Sequence, residues 1–264
     1  MTTPGAHAGA DPTSRPGPRP APPLARILTQ ARFETGTLLR NGEQLLVAII
    51  LPALALFGLA TAPVPGFDGP DRIELAMAGV LGLAVISTAF TAQAISTGFD
   101  RRYGVLRLLG TTPLGRDGLL WAKGLAVLVV LAIQFVVLGA LGLALGWRPS
   151  PWDLLAAIPV LLLASWAFVS LALLLAGVLR AEAVLAVANL LWVLLLGVGG
   201  VVIPATVLPP GLAHVAPFLP SGALGDGMRT ALLGGGIDLP ALLVLAVWAL
   251  VATLLARRFF RWSD

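Results

Sequence analysis

Long apolar stretches alternate with short basic segments along most of the chain. A helix crosses the ~30 Å hydrocarbon core of a bilayer with about 20 mainly apolar residues. Six stretches satisfy that length, although the first of them contains Pro52. They lie at about 44–62, 75–97, 121–146, 153–179, 183–203 and 239–256. The pattern therefore predicts an all-α membrane protein whose transmembrane domain, 44–264, contains six transmembrane helices.

The segment before the first span has a different pattern. Apolar residues recur there at helical spacing with charged residues between them, which predicts an amphipathic helix over 24–43. Such a helix lies in the membrane interface, where arginine side chains reach the lipid headgroups. The alternative is a helical linker that makes no membrane contact. The three basic residues assigned to this interfacial helix are Arg26, Arg32 and Arg40.

Residues 1–23 are rich in Pro, Gly, Ala and Arg and have few bulky apolar side chains. Such a composition cannot bury enough apolar surface to offset the entropy of folding, so we predict a disordered tail. The tail lacks the apolar centre of a signal peptide, and we expect no cleavage.

The distribution of positive charge predicts the topology. Cytoplasmic loops of membrane proteins carry an excess of Lys and Arg. With the N-terminus inside, six spans leave three basic residues outside, Arg72, Arg148 and Arg229, and the other fourteen on the cytoplasmic side. Six spans also return the C-terminus to the cytoplasm, so both termini are predicted to be cytoplasmic.

The loop over 98–120, between the second and third spans, has more organisation than orientation alone requires. Apolar residues alternate with arginines as in a short amphipathic helix, and Gly110 and Pro113 then interrupt it. A helix of this kind at the membrane face is a docking element for a soluble partner. The alternative is a loop that only fixes orientation. The residues that we predict to make the contact are Asp100, Arg101, Arg102, Tyr103 and Arg107, with Val105, Leu106 and Leu109 packing into the partner or against the helix bundle.

The longest external connection, 204–238, is apolar but interrupted by proline. It is too short and too broken to span a bilayer. We predict a short external helix or a shallow re-entrant segment packed on the helix bundle. The alternative is a seventh span.

Composition narrows the function classes. Hydrophobic residues make up 58% and charged residues 11% of the chain, against about 25% charged residues in soluble domains. The basic residues adjoin the apolar spans, so lipid headgroups and topology explain the net charge of +4 better than nucleic acid does. The abundance of Ala, Gly, Pro and Arg indicates a high-GC bacterial genome and hence a multi-pass protein of the bacterial plasma membrane.

Several kinds of chemistry are missing from the sequence. The chain has no cysteine, two histidines, no HExxH motif and no phosphate-binding loop. We therefore expect no metal, no cofactor, no catalytic residue and no ATP hydrolysis by this chain. Gln93, Gln134 and Asn189 are predicted to form hydrogen bonds between helices rather than to bind substrate. The lack of charge near the middle of the spans disfavours a proton-coupled transporter.

Three motifs together resemble the ABC-2 family of ABC-exporter permeases, including the daunorubicin-resistance type of actinobacteria. The first is the stretch 39–46 leading to Leu51-Pro52. The second and most specific is the stretch 99–116 with Thr112-Pro113-Leu114, followed by Leu119-Leu120 and Lys123. The third is the stretch 209–224, which contains Leu219-Pro220. Asp100 stands where the family often has Glu, and the charge is kept.

The resemblance implies a six-helix subunit that pairs with a second permease copy, as a homodimer or heterodimer, on two copies of a separate cytoplasmic ATPase. The amphipathic N-terminal helix becomes a connecting helix, and the 98–120 loop carries the coupling helix. The first, second and fifth spans line the substrate path. Few charges lie there, so we expect export of a hydrophobic drug, antibiotic or lipid-like substrate.

Three other functions remain open at this stage. One is a permease of the same family that imports or regulates. Another is a non-transporting membrane scaffold or assembly factor that binds a cytoplasmic partner through the same loop. The third, an intramembrane lipid-modifying enzyme, is the weakest because buried acid–base groups are missing from the predicted spans.

Overall fold

The computed structural model describes residues 21–40, 42–64, 67, 69–204 and 207–261, without the side chains of 43–45 and 47. Its regular elements are helices, which confirms the all-α prediction for this part of the chain. Most of the predicted tail, residues 1–20, lies outside the described residues. The helices are α1 (Pro23–Arg40), α2 (Gly42–Thr61), α3 (Arg72–Val85), a π-helical segment (Ile86–Ala92), α4 (Gln93–Arg102), α5 (Val105–Gly110), α6 (Gly115–Ala144), α7 (Pro151–Val178), α8 (Ala181–Val198), α9 (Pro210–Val215), a 3₁₀ turn (Ala216–Phe218), α10 (Pro220–Leu232) and α11 (Leu239–Phe259).

Five of the six predicted spans correspond to helices that are long and apolar enough to cross a membrane. The sixth, over 44–62, corresponds to α2, whose apolar part in the described residues is shorter, Ala48–Thr61. Its membrane crossing remains a prediction. The five span candidates are Arg72–Arg102, Gly115–Ala144, Pro151–Val178, Ala181–Val198 and Leu239–Phe259.

The second span is one continuous helix of 31 residues in which α3, the π-helical segment and α4 follow without a break. It is the most buried of the candidates, with 78% of its apolar window inside the protein. Two residues of the π-helical segment bond to other helices. The indole N–H of Trp192 in α8 donates to the Ser87 hydroxyl at 3.0 Å. The Thr88 hydroxyl bonds to a side chain of α6.

One of the three predicted interhelical amides is confirmed. Gln134 of α6 accepts a hydrogen bond from Thr88 at 3.0 Å and donates to the Ala48 carbonyl of α2 at 3.0 Å. The prediction was wrong for Gln93, which donates to Thr97 within α4. It was also wrong for Asn189, which donates to Leu185 within α8. Both side-chain amides donate to a group one turn away on their own helix.

α7 lies at the centre of the bundle and packs against α11, α10, α4 and α6. Its start is fixed by a capping box in which the Ser150 hydroxyl accepts from the Asp153 amide and the Asp153 carboxylate accepts from the Ser150 amide. These bonds satisfy backbone N–H groups that lack an intrahelical partner. Pro151 fits the first helical position because it has no N–H, and an N–H there would have no partner within the helix.

α1 follows α6 in the same direction along its length. Arg26 contacts Pro113 before α6, Glu34 contacts Lys123 in the third turn, and Leu38 lies beside Val127 and Val130. α1 is therefore part of the helix bundle, and its position in the membrane interface remains a prediction.

The predicted external segment contains α9, the 3₁₀ turn and α10. α10 is largely buried and packs against α3, α7 and α11. Close approach explains its glycines, since a Cβ on Gly225 would lie 2.7 Å from the Gly200 carbonyl oxygen. Arg229 of α10 binds the segment that follows α8, donating to the Gly200 carbonyl at 2.7 Å and to the Val201 carbonyl at 3.0 Å.

We expect Gly222→Ala to destabilise the protein, because its methyl group would overlap the Ala216 carbonyl oxygen. Overpacking of this kind costs about 1–3 kcal/mol, and backbone atoms cannot swing aside. Gly197→Ala in α8 is the matched control, since nothing lies within 4 Å of the new methyl group. Thermal unfolding in detergent should give a lower midpoint for the first variant and an unchanged or higher one for the control. Equal midpoints would contradict the close packing of α10.

Candidate functional site

Lys123 is fully buried near the start of α6 and binds two carboxylates from other helices. Its Nζ lies 3.1 Å from Glu34 Oε2 of α1 and 3.2 Å from Asp100 Oδ2 of α4. A buried ammonium group without such partners would carry a large desolvation cost. The two ion pairs therefore hold α1, α4 and α6 together at one point.

The local surroundings of each carboxylate favour its pairing with Lys123. Asp100 lies in the last turn of α4, where the helix dipole disfavours a negative charge. Glu34 is oriented from the other side by Gln30, whose amide donates to Glu34 Oε1 at 2.9 Å. The prediction placed Asp100 in contact with an ATPase. In the structure its carboxylate faces Lys123, and its side chain keeps 31% exposure.

Arg101 closes the end of α7. Its guanidinium donates to the carbonyl oxygens of Ala176 at 2.7 Å and Leu179 at 2.5 Å. Carbonyls in the last turn of a helix have no intrahelical donor, and a cation there also complements the helix dipole. Arg101 is only 5% exposed, so in this chain its guanidinium contacts the bundle, and its contact with a partner protein stays a prediction. Arg101 is a positioning residue.

The next residue joins α4 to α8. Arg102 forms an ion pair with Glu182 in the first turn of α8, and both side chains are largely exposed. Exposed pairs contribute little stability. Arg102 therefore remains available at the surface.

α5 turns away from α4 at Gly104, whose φ of 77° lies in the left-handed region that favours glycine. Its two apolar faces have different environments. Leu106 is fully buried in the bundle core, and Leu109 packs against that core half-buried. Val105 and Leu108, on the other face, are 38% and 71% exposed.

Exposed residues at the end of α4 and on α5 form one surface, which we call the docking patch. Tyr103 is 74% exposed and stacks on Phe99 with 6.0 Å between ring centroids. Leu108 was not among the residues predicted to make the contact. The spacing of Val105 and Leu108, against that of Leu106 and Leu109, could have separated the two faces. The docking patch consists of Arg102, Tyr103, Val105, Arg107 and Leu108.

The loop after α5 is tied to two other helices. Arg26 of α1 donates to the Pro113 carbonyl, and Arg116 donates to the Arg257 carbonyl at the end of α11 at 3.0 Å. Arg257 also pairs with Asp117 at 2.8 Å. This end of the bundle, which we call the basic end, thus joins α1, α4, α6, α7, α8 and α11 through polar contacts. Arg72, Arg148 and Arg229 lie away from this end. Arg72 begins the continuous helix that α4 ends, Arg148 follows α6, and Arg229 contacts the chain that follows α8.

Comparison with known families decides the class of this helix bundle. A model described as ABC-2 family transporter protein matches residues 55–258. The chain belongs to the ABC-2 transporter family. A comparison with curated proteins finds no match.

The family gives the permease its general role. ABC-2 permeases are membrane components of transporters and normally work with an ATPase partner. The match extends from within α2 to the last turn of α11, and it includes the second span, the docking patch and α10. The chain is therefore a multi-pass membrane protein with a transport function.

The three arginines predicted on the interfacial helix have different surroundings in the permease. Arg26 binds the loop that precedes α6, whereas Arg32 and Arg40 are exposed beside a groove between α1 and α6. Among the described residues, no group of three His, Asp or Glu side chains lies close enough to hold a metal ion.

We expect Lys123→Met to destabilise the permease, because it leaves Glu34 and Asp100 facing each other without a cation. Loss of one partner of a buried ion pair costs about 3–5 kcal/mol, whereas replacing the whole group by neutral residues is often tolerated. The triple variant Lys123→Met, Glu34→Gln, Asp100→Asn should therefore recover much of the lost stability. Thermal unfolding in detergent measures both. A matched control is Arg258→Met, which removes an exposed cation and should leave the midpoint unchanged.

A single variant as stable as the native protein, or a triple variant no better than the single one, would contradict the role of Lys123.

Proposed function

We propose that the chain is the permease subunit of an ATP-driven exporter and that the docking patch binds the separate ATPase. The observation that carries the proposal is the exposure of Tyr103 and Leu108 beside Arg102 and Arg107. Exposed apolar residues rimmed by charge are typical of protein interaction sites.

Topology supports a cytoplasmic partner for this surface. The docking patch lies at the basic end, and the excess of Lys and Arg there supports a cytoplasmic location. Both chain termini are then cytoplasmic, and α2 completes six spans. An apolar patch in water, rather than in lipid, favours coverage by a soluble protein.

The contacts between the end of α4 and the bundle would couple the docking patch to the transmembrane helices. Arg101 connects the end of α4 to α7, and Asp100 connects it to α6 and, through Lys123, to α1. We propose that ATP-driven closure of the ATPase displaces α5 and that these contacts carry the displacement to the transmembrane helices.

The remaining parts of the proposal concern assembly and substrate. Largely exposed apolar faces on α2 and α8 support pairing with a second permease copy, identical or related, above two ATPase copies. A cavity of about 550 Å³ lies between the π-helical segment, α7, α8, α10 and α11. Its lining is apolar and includes Phe90, Leu191 and Trp248. This supports a hydrophobic drug, antibiotic or lipid-like substrate, exported across a bacterial plasma membrane as by daunorubicin-resistance exporters of actinobacteria.

The test is co-purification with the ATPase encoded beside this chain, followed by measurement of complex mass and ATP turnover. We expect Leu108→Ser to weaken the complex at least tenfold, because it removes a largely exposed apolar side chain from the docking patch. Leu239→Ser is the matched control, since Leu239 is exposed to a similar degree, 70% against 71%, but lies at the other end of the bundle.

An intact complex with Leu108→Ser, or equal loss with both variants, would contradict the assignment of the docking patch. Formation of a complex without substrate-stimulated ATP turnover would instead support the scaffold function.

A further inference from the structure

A groove of about 760 Å³ runs between α1 and α6 on the side away from Lys123. The α1 side combines apolar residues with two arginines, and the α6 side is wholly apolar. From α1 the lining residues include Leu28, Arg32, Gly36, Leu39 and Arg40, and from α6 they are Leu125, Leu128, Val129 and Ala132.

Arg32 and Arg40 form the basic rim of this groove. They are eight residues apart, with Gly36 between them at four-residue spacing, so all three lie on one face of α1. Both arginines are exposed. Within the described ranges, no hydrogen bond or ion pair joins either guanidinium to another side chain, and Glu34, the acidic residue of α1, faces Lys123.

The α6 wall has the character of a lipid-contacting surface. Leu125, Leu128, Val129 and Ala132 recur at helical spacing on one face of a membrane-span candidate. Val129 is 45% exposed. Opposite this wall, a Cβ at Gly36 would meet nothing within 4 Å, so the groove is open at that point.

We infer that this groove binds one anionic phospholipid, with its phosphate on Arg32 and Arg40 and an acyl chain along the α6 wall. Charge complementarity selects the occupant. Two guanidinium groups favour a lipid of net negative charge over a zwitterionic one, and arginine pairs well with phosphate. The apolar wall favours an amphiphile over a free phosphate ion or an acidic segment of a soluble protein. The inference goes beyond the proposed function and holds whether or not the docking patch binds an ATPase.

The test is native mass spectrometry of the full chain purified in detergent and titrated with dioleoylphosphatidylglycerol or dioleoylphosphatidylcholine. We expect one phosphatidylglycerol per chain to be retained in preference to phosphatidylcholine. Arg32→Gln with Arg40→Gln should reduce its affinity about tenfold or more, because the phosphate loses its charge-assisted hydrogen bonds to both guanidinium groups.

Two further variants separate the groove from general charge effects. Gly36→Leu should fold, since leucine is a better helix former than glycine and the site is open. It should nevertheless reduce retention of phosphatidylglycerol by filling the groove. The pair Arg180→Gln and Arg258→Gln removes two other exposed arginines and should leave retention unchanged.

Equal retention of the two lipids, or full retention by the Arg32 and Arg40 double variant, would overturn the inference. So would an equal loss with the Arg180 and Arg258 pair, which would indicate attraction by net charge alone. Binding of inorganic phosphate to the groove as tightly as the lipid would also overturn it, because the acyl chain would then contribute nothing.

Discussion

The arrangement of the basic end depends on one buried cation. Lys123 is fully enclosed, and its charge is tolerable there because Glu34 and Asp100 approach it from two other helices. This requirement restricts where α1 and α4 lie relative to α6. Since α4 leads directly into α5, the same ion pairs also restrict the position of the docking patch.

Some residues of the 98–120 loop contact the helix bundle, and others face outwards. Asp100, Arg101 and Leu106 face the bundle, and they bind a cation, two carbonyl oxygens and the apolar core. Tyr103 and Leu108 face outwards. The proposed transmission of force requires such a surface, held on its inner side by the bundle and apolar on its outer side.

Much of the fold follows from local patterns in the sequence. Apolar stretches predicted six spans, five of which correspond to helices long and apolar enough to cross a membrane, and alternation of apolar and basic residues indicated the short helix α5. The boundaries moved by a few residues, since α4 continues the second span as far as Arg102. Hydropathy registers where a helix is apolar and not where hydrogen bonding ends it.

The contacts between helices at the site could not be predicted from local sequence patterns. Lys123 reaches Glu34 across 89 positions and Asp100 across 23, and no local period reports such a pairing. The sequence analysis gave Arg101 and Arg102 the same role. In the structure Arg101 is buried against the end of α7, whereas Arg102 is exposed. The π-helical segment was also missed, because hydropathy does not distinguish a π-helical turn from an α-helical one.

Site-directed crosslinking tests the central claim most directly. The chain has no cysteine, so a single cysteine at position 103 or 239 can carry a photoreactive group without further changes. In membranes that contain the co-expressed ATPase, our account predicts an ATPase adduct from Tyr103→Cys and none from Leu239→Cys. Absence of an ATPase adduct from position 103, in a preparation where the two proteins co-purify, would show that the docking patch is not where they meet.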